Sequence, residues 1–217
     1  MSLSYELIAN DGNARRGRVT TQRGTFETPI FMPVGTRGAV IHLDARDYAD
    51  LGMEVVLGNT YHLMLRPGAE VIKEMGGLHS FTNWDGHMLT DSGGFQVMSL
   101  RDNVKIDDQG VDFTSIYDGK KVRFTPEVAV KTQEDLGADI QMVLDVCAAL
   151  PATDEQVIMA MKRTHQWAER AKAAHTRPDQ ALFGIVQGGI SPDLRHESGA
   201  ALANLDFEGY GIGGLSV

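Results

Sequence analysis

Cysteine occurs once, at Cys147, which excludes an internal disulfide framework and any cysteine-rich metal site made from these residues alone. Long apolar runs are missing: none approaches the roughly 18 to 20 residues that span a bilayer. The segment from Met1 to Asp11 has no basic stretch leading into an apolar one, so no signal peptide is read there. A cytoplasmic protein with no membrane partner is the simplest reading. Positive charge is in short supply too, with 20 Lys and Arg against 29 Asp and Glu and a net charge of −9. Non-specific nucleic-acid binding depends on cationic surface and counterion release, so an RNA substrate would have to be held by local basic patches or by residues outside this sequence. Absent as well are a Gly-x-Gly-x-x-Gly opening a helix and a glycine loop ending in Lys-Ser or Lys-Thr, which weakens a doubly wound nucleotide-binding fold.

What the 217 residues do contain is a globular composition, 42% hydrophobic and 23% charged with 24 glycines, read as a single domain over 1–217. SYELIA and RGRVTT flank Asp11-Gly12 and predict an N-terminal β-hairpin. A βα rhythm follows. The strand candidates are TPIFMPVGT, EVVLGNT, HMLTDSGG, DIQMVLDVC, ALFGIVQGG and YGIGG. Between them, helical spacing marks DARDYADL, AEVIKEM, PEVAVKTQEDLG, Asp154 to His175, and SPDLRHESGAALANL. Thr125-Pro126-Glu127 and Ser191-Pro192-Asp193 are N-cap signals, and Gly52 and Gly137 suit left-handed C-caps. Val104 to Phe124 breaks the rhythm, with Gln109-Gly110 and Asp118-Gly119 turns between alternating strands; it reads as a β insertion after the third barrel strand. Repeated βα units predict an α/β fold of the (β/α)8 TIM-barrel type. About six strands are visible where a closed barrel has eight, so the barrel is expected to be incomplete at its C-terminus.

In such a barrel the chemistry sits where strands end at the C-terminal face. There the third strand delivers Asp91, the fourth Asp145, the fifth Gln187 and the sixth Gly213-Gly214. Two carboxylates, an amide and a bare backbone suit a planar purine. A carboxylate at Asp145 can take guanine's N1–H and exocyclic amine, while Gln187 and the Gly214 N–H can donate to O6. Phe95, beyond the Ser92-Gly93-Gly94 turn, can stack on the base, and Asp91 is left for proton transfer. Each residue has a plainer reading. An aspartate after an apolar strand is about as often a helix cap or turn former, and Gln-Gly pairs end strands for turn geometry alone. Cys147, with no flanking cation, reads as a small buried hydrophobe. His62 reads as a mark of a functional loop or as a structural residue. His165, His175 and His196 lack a second ligand at metal spacing, so no metal is assigned. Lys162, Arg163, Arg170 and Lys172 are expected on a solvated helix face, with Met159 and Trp167 facing inward.

Six strings then carry a resemblance: ARRGR, ETPIFMPVGT from Glu27, LGNTYHLMLRPG from Leu57, LTDSGGFQV from Leu89, LFGIVQGG from Leu182 and GYGIGGLSV from Gly209. In this order they resemble the bacterial tRNA-guanine transglycosylase family, also called queuine tRNA-ribosyltransferases. The resemblance implies a (β/α)-barrel transferase that removes guanine from the wobble position of tRNAs with a G-U-N anticodon and installs a 7-deazaguanine precursor of queuosine. It implies Asp91 as general acid/base, and a base pocket formed by Asp91, Ser92, Gly93, Gly94, Phe95, Asp145, Gln187, Gly214 and Leu215. Cys147 and Val217 would shape the space around the 7-substituent. A homodimer is implied for the full-length family. Two departures stand out: Val146 replaces an acidic residue usual in the family, and Phe95 replaces a tyrosine found in some members. The family's nucleophilic aspartate and its cysteine and histidine zinc ligands are expected beyond Val217, so no cofactor is expected within these residues.

The implied reaction is a double displacement at one sugar carbon. A chain holding only the acid/base and recognition half would bind guanine or deazaguanine without turnover. One alternative is a non-catalytic shortened paralogue acting as a partner subunit. Another is an unrelated barrel hydrolase using Asp91 and Asp145 as paired carboxylates, against which the family strings count. An open barrel also leaves unpaired strand edges, which predicts association or poor solubility.

Overall fold

The computed structural model describes residues 2–99, 104–149 and 151–215. Its first elements are β1 (Leu3–Asp11), β2 (Ala14–Thr21), β3 (Gly24–Thr28), β4 (Val34–Gly35), α1 (Ala45–Asp50), β5 (Val55–Gly58), α2 (Thr60–Leu65), α3 (Ala69–Glu74), α4 (Leu78–Thr82) and β6 (His87–Thr90). There follow α5 (Gly94–Ser99), β7 (Lys105–Asp107), β8 (Gly110–Thr114), β9 (Lys121–Phe124), α6 (Pro126–Leu136) and β10 (Ile140–Met142). The last are α7 (Asp154–Ala174), β11 (Ala181–Val186), α8 (Pro192–Ala203) and β12 (Gly209–Ile212). The chain forms two compact units. One takes in 1–90, 133–141 and 177–181, the other 91–132, 142–176 and 182–217.

The first unit opens with the antiparallel sheet β1-β2-β3. Asp11 pairs with Ala14 across a turn where Gly12 has φ 57°, the freedom that the Asp-Gly signal anticipates. The predicted hairpin is present, with β3 added on β2. β4, β5, β6 and β10 then run parallel in that order. All four residues of β6 are buried, as befits a strand covered on both faces. β4 has two residues where TPIFMPVGT suggests nine. Pro29 and Pro33 have no N–H to give a ladder; Pro33 contributes only its carbonyl, which accepts from Leu57 N at 3.0 Å.

Val56 and Met88 from this sheet pack against Leu63, Ile72, Leu78, Trp84 and Leu136. α1 begins at a capping box between Asp44 and Asp47, and Gly52 beyond it takes φ 64°. Buried Asp139 joins the starts of two strands: it accepts from Met88 N at 2.8 Å and bonds His79 Nε2 at 3.1 Å, with Arg23 Nε 3.4 Å away. Helices α2 and α4, of 6 and 5 residues, are absent from the sequence expectation because so few turns show no periodicity. His62 therefore lies on a helix.

In the second unit 104–124 folds as the antiparallel sheet β7-β8-β9, matching the expected β insertion. β11 and β12 pair in parallel. Leu182, Ile185 and Val186 of β11 pack with Ala168 and Ala171 of α7 and with Leu202 and Phe207. Ser191 caps α8 by accepting from Leu194 N, and Thr125 accepts from Val128 N at the start of α6.

α7 departs from the face expected of it. Its buried face carries Val157, Ala160, Met161, Thr164, Trp167, Ala168 and Ala171, whereas Met159 is 52% exposed, turned away by its angular offset from that stripe. Nor are the arginines merely solvated. Arg163 Nη2 meets Asp108 at 2.7 Å, and Arg170 clasps Glu127 at 2.7 and 2.8 Å while donating to the Asp108 and Gln109 carbonyls. Trp167 Nε1 adds a bond to Asp108 O at 2.9 Å. The insertion folds back on α7, a tertiary contact invisible to helical periodicity.

Candidate active site

A strand that ends in a polar residue can present it without burying an unmatched group, provided neighbouring ends supply partners. Here they do. Asp145, in the extended segment after β10, is 5% exposed and accepts from Gln187 Nε2 at 2.7 Å, Ser92 Oγ at 3.2 Å and Cys147 Sγ at 3.4 Å. Three separate segments thus meet on one carboxylate. All of its donors are neutral, and burial pushes the Asp145 carboxyl above the usual range against the opposing effect of those bonds. The same burial, then the neighbouring Asp145 charge, pushes the Cys147 thiol up to about 12.

Asp91 reaches the cluster through its neighbour. Its Oδ1 accepts from Gly93 N at 3.1 Å and its Oδ2 from Gln96 Nε2 at 3.0 Å, so it does form the turn as the plainer reading holds. Ser92 Oγ accepts from Gly94 N at 3.1 Å and spends its single proton on Asp145. A Cβ at Gly94 would lie 2.9 Å from Asp145 O and 3.2 Å from its Oδ1; glycine is required for the turn to touch the aspartate. α5 starts directly from this turn; it is a short helix that the helical spacing of the sequence does not mark.

The Gln187 amide lies on the Gly213-Gly214 backbone: a Cβ at Gly214, where φ is 69°, would come within 2.8 Å of Gln187 Oε1. Gln187 Nε2 also faces Cys147 Sγ at 3.5 Å, so only one of its two hydrogens is held by a strong acceptor. Phe95 and Leu215 are 48% and 67% exposed, free to meet a ligand. Val217 lies outside the described residues.

Sequence reasoning missed the residues that hold these groups. Gln96 grips Asp91, Thr164 Oγ1 accepts from Val146 N at 2.9 Å, and buried Ser198 Oγ accepts from Gln187 N at 3.1 Å and bonds His165 Nε2 at 2.9 Å. Ser198 and Thr164 look like ordinary helix residues, and no spacing rule singles them out. Among the described residues no group of three or more His, Cys, Asp or Glu side chains could hold a metal ion, and no helix is long and apolar enough to cross a membrane.

Comparison with known proteins gives one family. Residues 11–217 match the family model described as queuine tRNA-ribosyltransferase. A queuine tRNA-ribosyltransferase of Marinobacter nauticus is 54% identical over 99% of this chain and 58% of its own length. One from Desulforamulus reducens is 54% identical over 100% of the chain and 59% of its length, and one from Herpetosiphon aurantiacus 54% over 100% and 55%. The chain thus spans somewhat more than half the length of the curated relatives it matches.

Proposed function

We propose a function from one premise: the chain belongs to the queuine tRNA-ribosyltransferase family. It carries the base-recognition and acid/base part of a tRNA-guanine transglycosylase, on one domain of the (β/α)8 type. The substrates are a tRNA with a G-U-N anticodon and a 7-deazaguanine base, the assembly is a homodimer, and the work is done in the cytoplasm.

The cluster around Asp145 carries this reading. A carboxylate offers about four lone-pair sites; Ser92, Gln187 and a weak thiol donor take three, and its own backbone N–H also bonds it. Guanine's N1–H and amine fit by displacing the thiol and that backbone N–H. O6 then receives the second Gln187 hydrogen and the Gly214 N–H, Phe95 covers one face, and Cys147 and Leu215 border the 7-position. Asp91, held by Gly93 and Gln96, moves the proton. A carboxylate not assigned to these residues attacks the ribose anomeric carbon; guanine leaves with the bonding electrons and takes a proton from Asp91. The incoming base returns a proton to Asp91 as it displaces the carboxylate.

Calorimetry on the chain tests the recognition half. Guanine and 7-deazaguanine are expected to bind and adenine, which has no N1–H and no O6, to bind at least about 100-fold more weakly, since a missing partner strands buried polar groups. Equal binding of adenine would refute the reading.

A further inference from the structure

We infer that Arg195 is a positioning residue that presets the base-reading Gly213-Gly214 peptide; the inference rests on the base-pocket reading above. Its backbone is seated first. A Cβ at Gly188 would lie 2.7 Å from Arg195 N and 2.8 Å from Leu194 C, so the opening turns of α8 rest directly on the glycine turn after β11. From there the side chain spans two strand ends: Nε donates to Gly189 O at 2.7 Å and Nη2 to Gly213 O at 2.8 Å.

The second bond sets a direction. The Gly213-Gly214 peptide is trans, and because a trans peptide bond is close to planar its C=O and N–H point opposite ways. Holding Gly213 O toward Arg195 turns the Gly214 N–H away from it, to the side of Cys147, where that N–H bonds the thiol and opposes the larger burial effect on its pKa. Gly213 N, bonded to Val186 O at 2.9 Å, fixes the preceding peptide. Arg195 and Ser198 lie three residues apart on one face of α8; the first holds the Gly214 donor and the second the Gln187 backbone. One helix therefore aligns both groups proposed to meet O6.

The cost of the arrangement argues that it is selected for this task. Arg195 Nη1 is buried with no hydrogen-bond partner among the described residues, a penalty that packing alone does not require, since an apolar side chain would avoid it. A guanidinium is needed because only its rigid fork reaches two carbonyls at once; an ammonium is a point donor on a flexible stem.

The test uses the chain labelled with 15N-glycine, unaltered and as Arg195→Lys and Arg195→Ala. Both variants are expected to displace the Gly214 amide resonance while leaving Gly110 and Gly119 of the insertion in place. Guanine should bind both about tenfold more weakly, the equivalent of one preset hydrogen bond. Affinity for 2-aminopurine, which lacks O6, should change by less than about twofold, because the interaction lost is the one made to O6. An unmoved Gly214 resonance in both variants, or equal losses for the two bases, overturns the role. If the unaltered chain binds no guanine while Arg195→Ala still displaces Gly214, the clamp stands and the base-pocket reading falls.

Discussion

Replacing Asp145 by asparagine should make the protein more stable at neutral pH and much poorer at holding guanine. Burial raises the Asp145 carboxyl in the fold, so the folded chain binds this proton more tightly than the unfolded chain. Its contribution to stability is fully present below the unfolded value and is lost as pH rises through the raised folded one. Asparagine carries no charge to desolvate, so the gain in Tm should appear at pH 8 and vanish near pH 4, where Asp145 is protonated in the fold. Binding runs the other way. Asparagine keeps one acceptor oxygen and places an N–H2 where the second stood, so one of guanine's two donors loses its acceptor and faces a donor. A hydrogen bond to a charged group contributes about 1.5 to 3 kcal/mol; with the added mismatch the loss is about 3 kcal/mol, roughly 100-fold in Kd. Scanning calorimetry across pH and titration with guanine measure the two effects. The reasoning is refuted if Asp145→Asn binds guanine within about threefold of the unaltered chain, a loss too small for one charged hydrogen bond, or if it lowers Tm more at pH 8 than at pH 4.

Two further outcomes are expected. With its pKa pushed up to about 12, Cys147 should resist alkylation by iodoacetamide at pH 8 in the native chain and react only on unfolding; native labelling at the rate of a free thiol would contradict the geometry. Asp139 is held below the usual carboxylate range: burial works against this, but the bonds from His79 and Met88 and the charge of Arg23 outweigh it. Its stabilisation is present above the unfolded pKa and lost as pH falls through the lowered folded one. Asp139→Asn should therefore cost about 2 to 4 kcal/mol by urea unfolding at pH 7 and lose that deficit in acid; an equal deficit at pH 7 and in strong acid would show that its charge contributes nothing.

Local chemistry written along the chain determined a good deal by itself. The Asp11-Gly12 turn, the caps at Thr125 and Ser191, the left-handed Gly52 and Gly137, and the insertion between Val104 and Phe124 all follow from short-range rules, because backbone conformation and capping depend on residues a few positions apart. So does the placing of Asp91, Asp145 and Gln187 just beyond strand ends, which any βα alternation requires. Only the tertiary structure decided which partners those residues meet. That Ser92 and Gln187 converge on Asp145, 53 and 42 residues away in sequence, depends on the register of separate strands. That Arg195 and Ser198 hold two strand ends, and that Arg163 and Arg170 clasp the insertion while Met159 turns outward, depends on how helices are docked. Hydrogen bonds act over about 3 Å, and a linear pattern carries no information on which distant atoms packing brings that close.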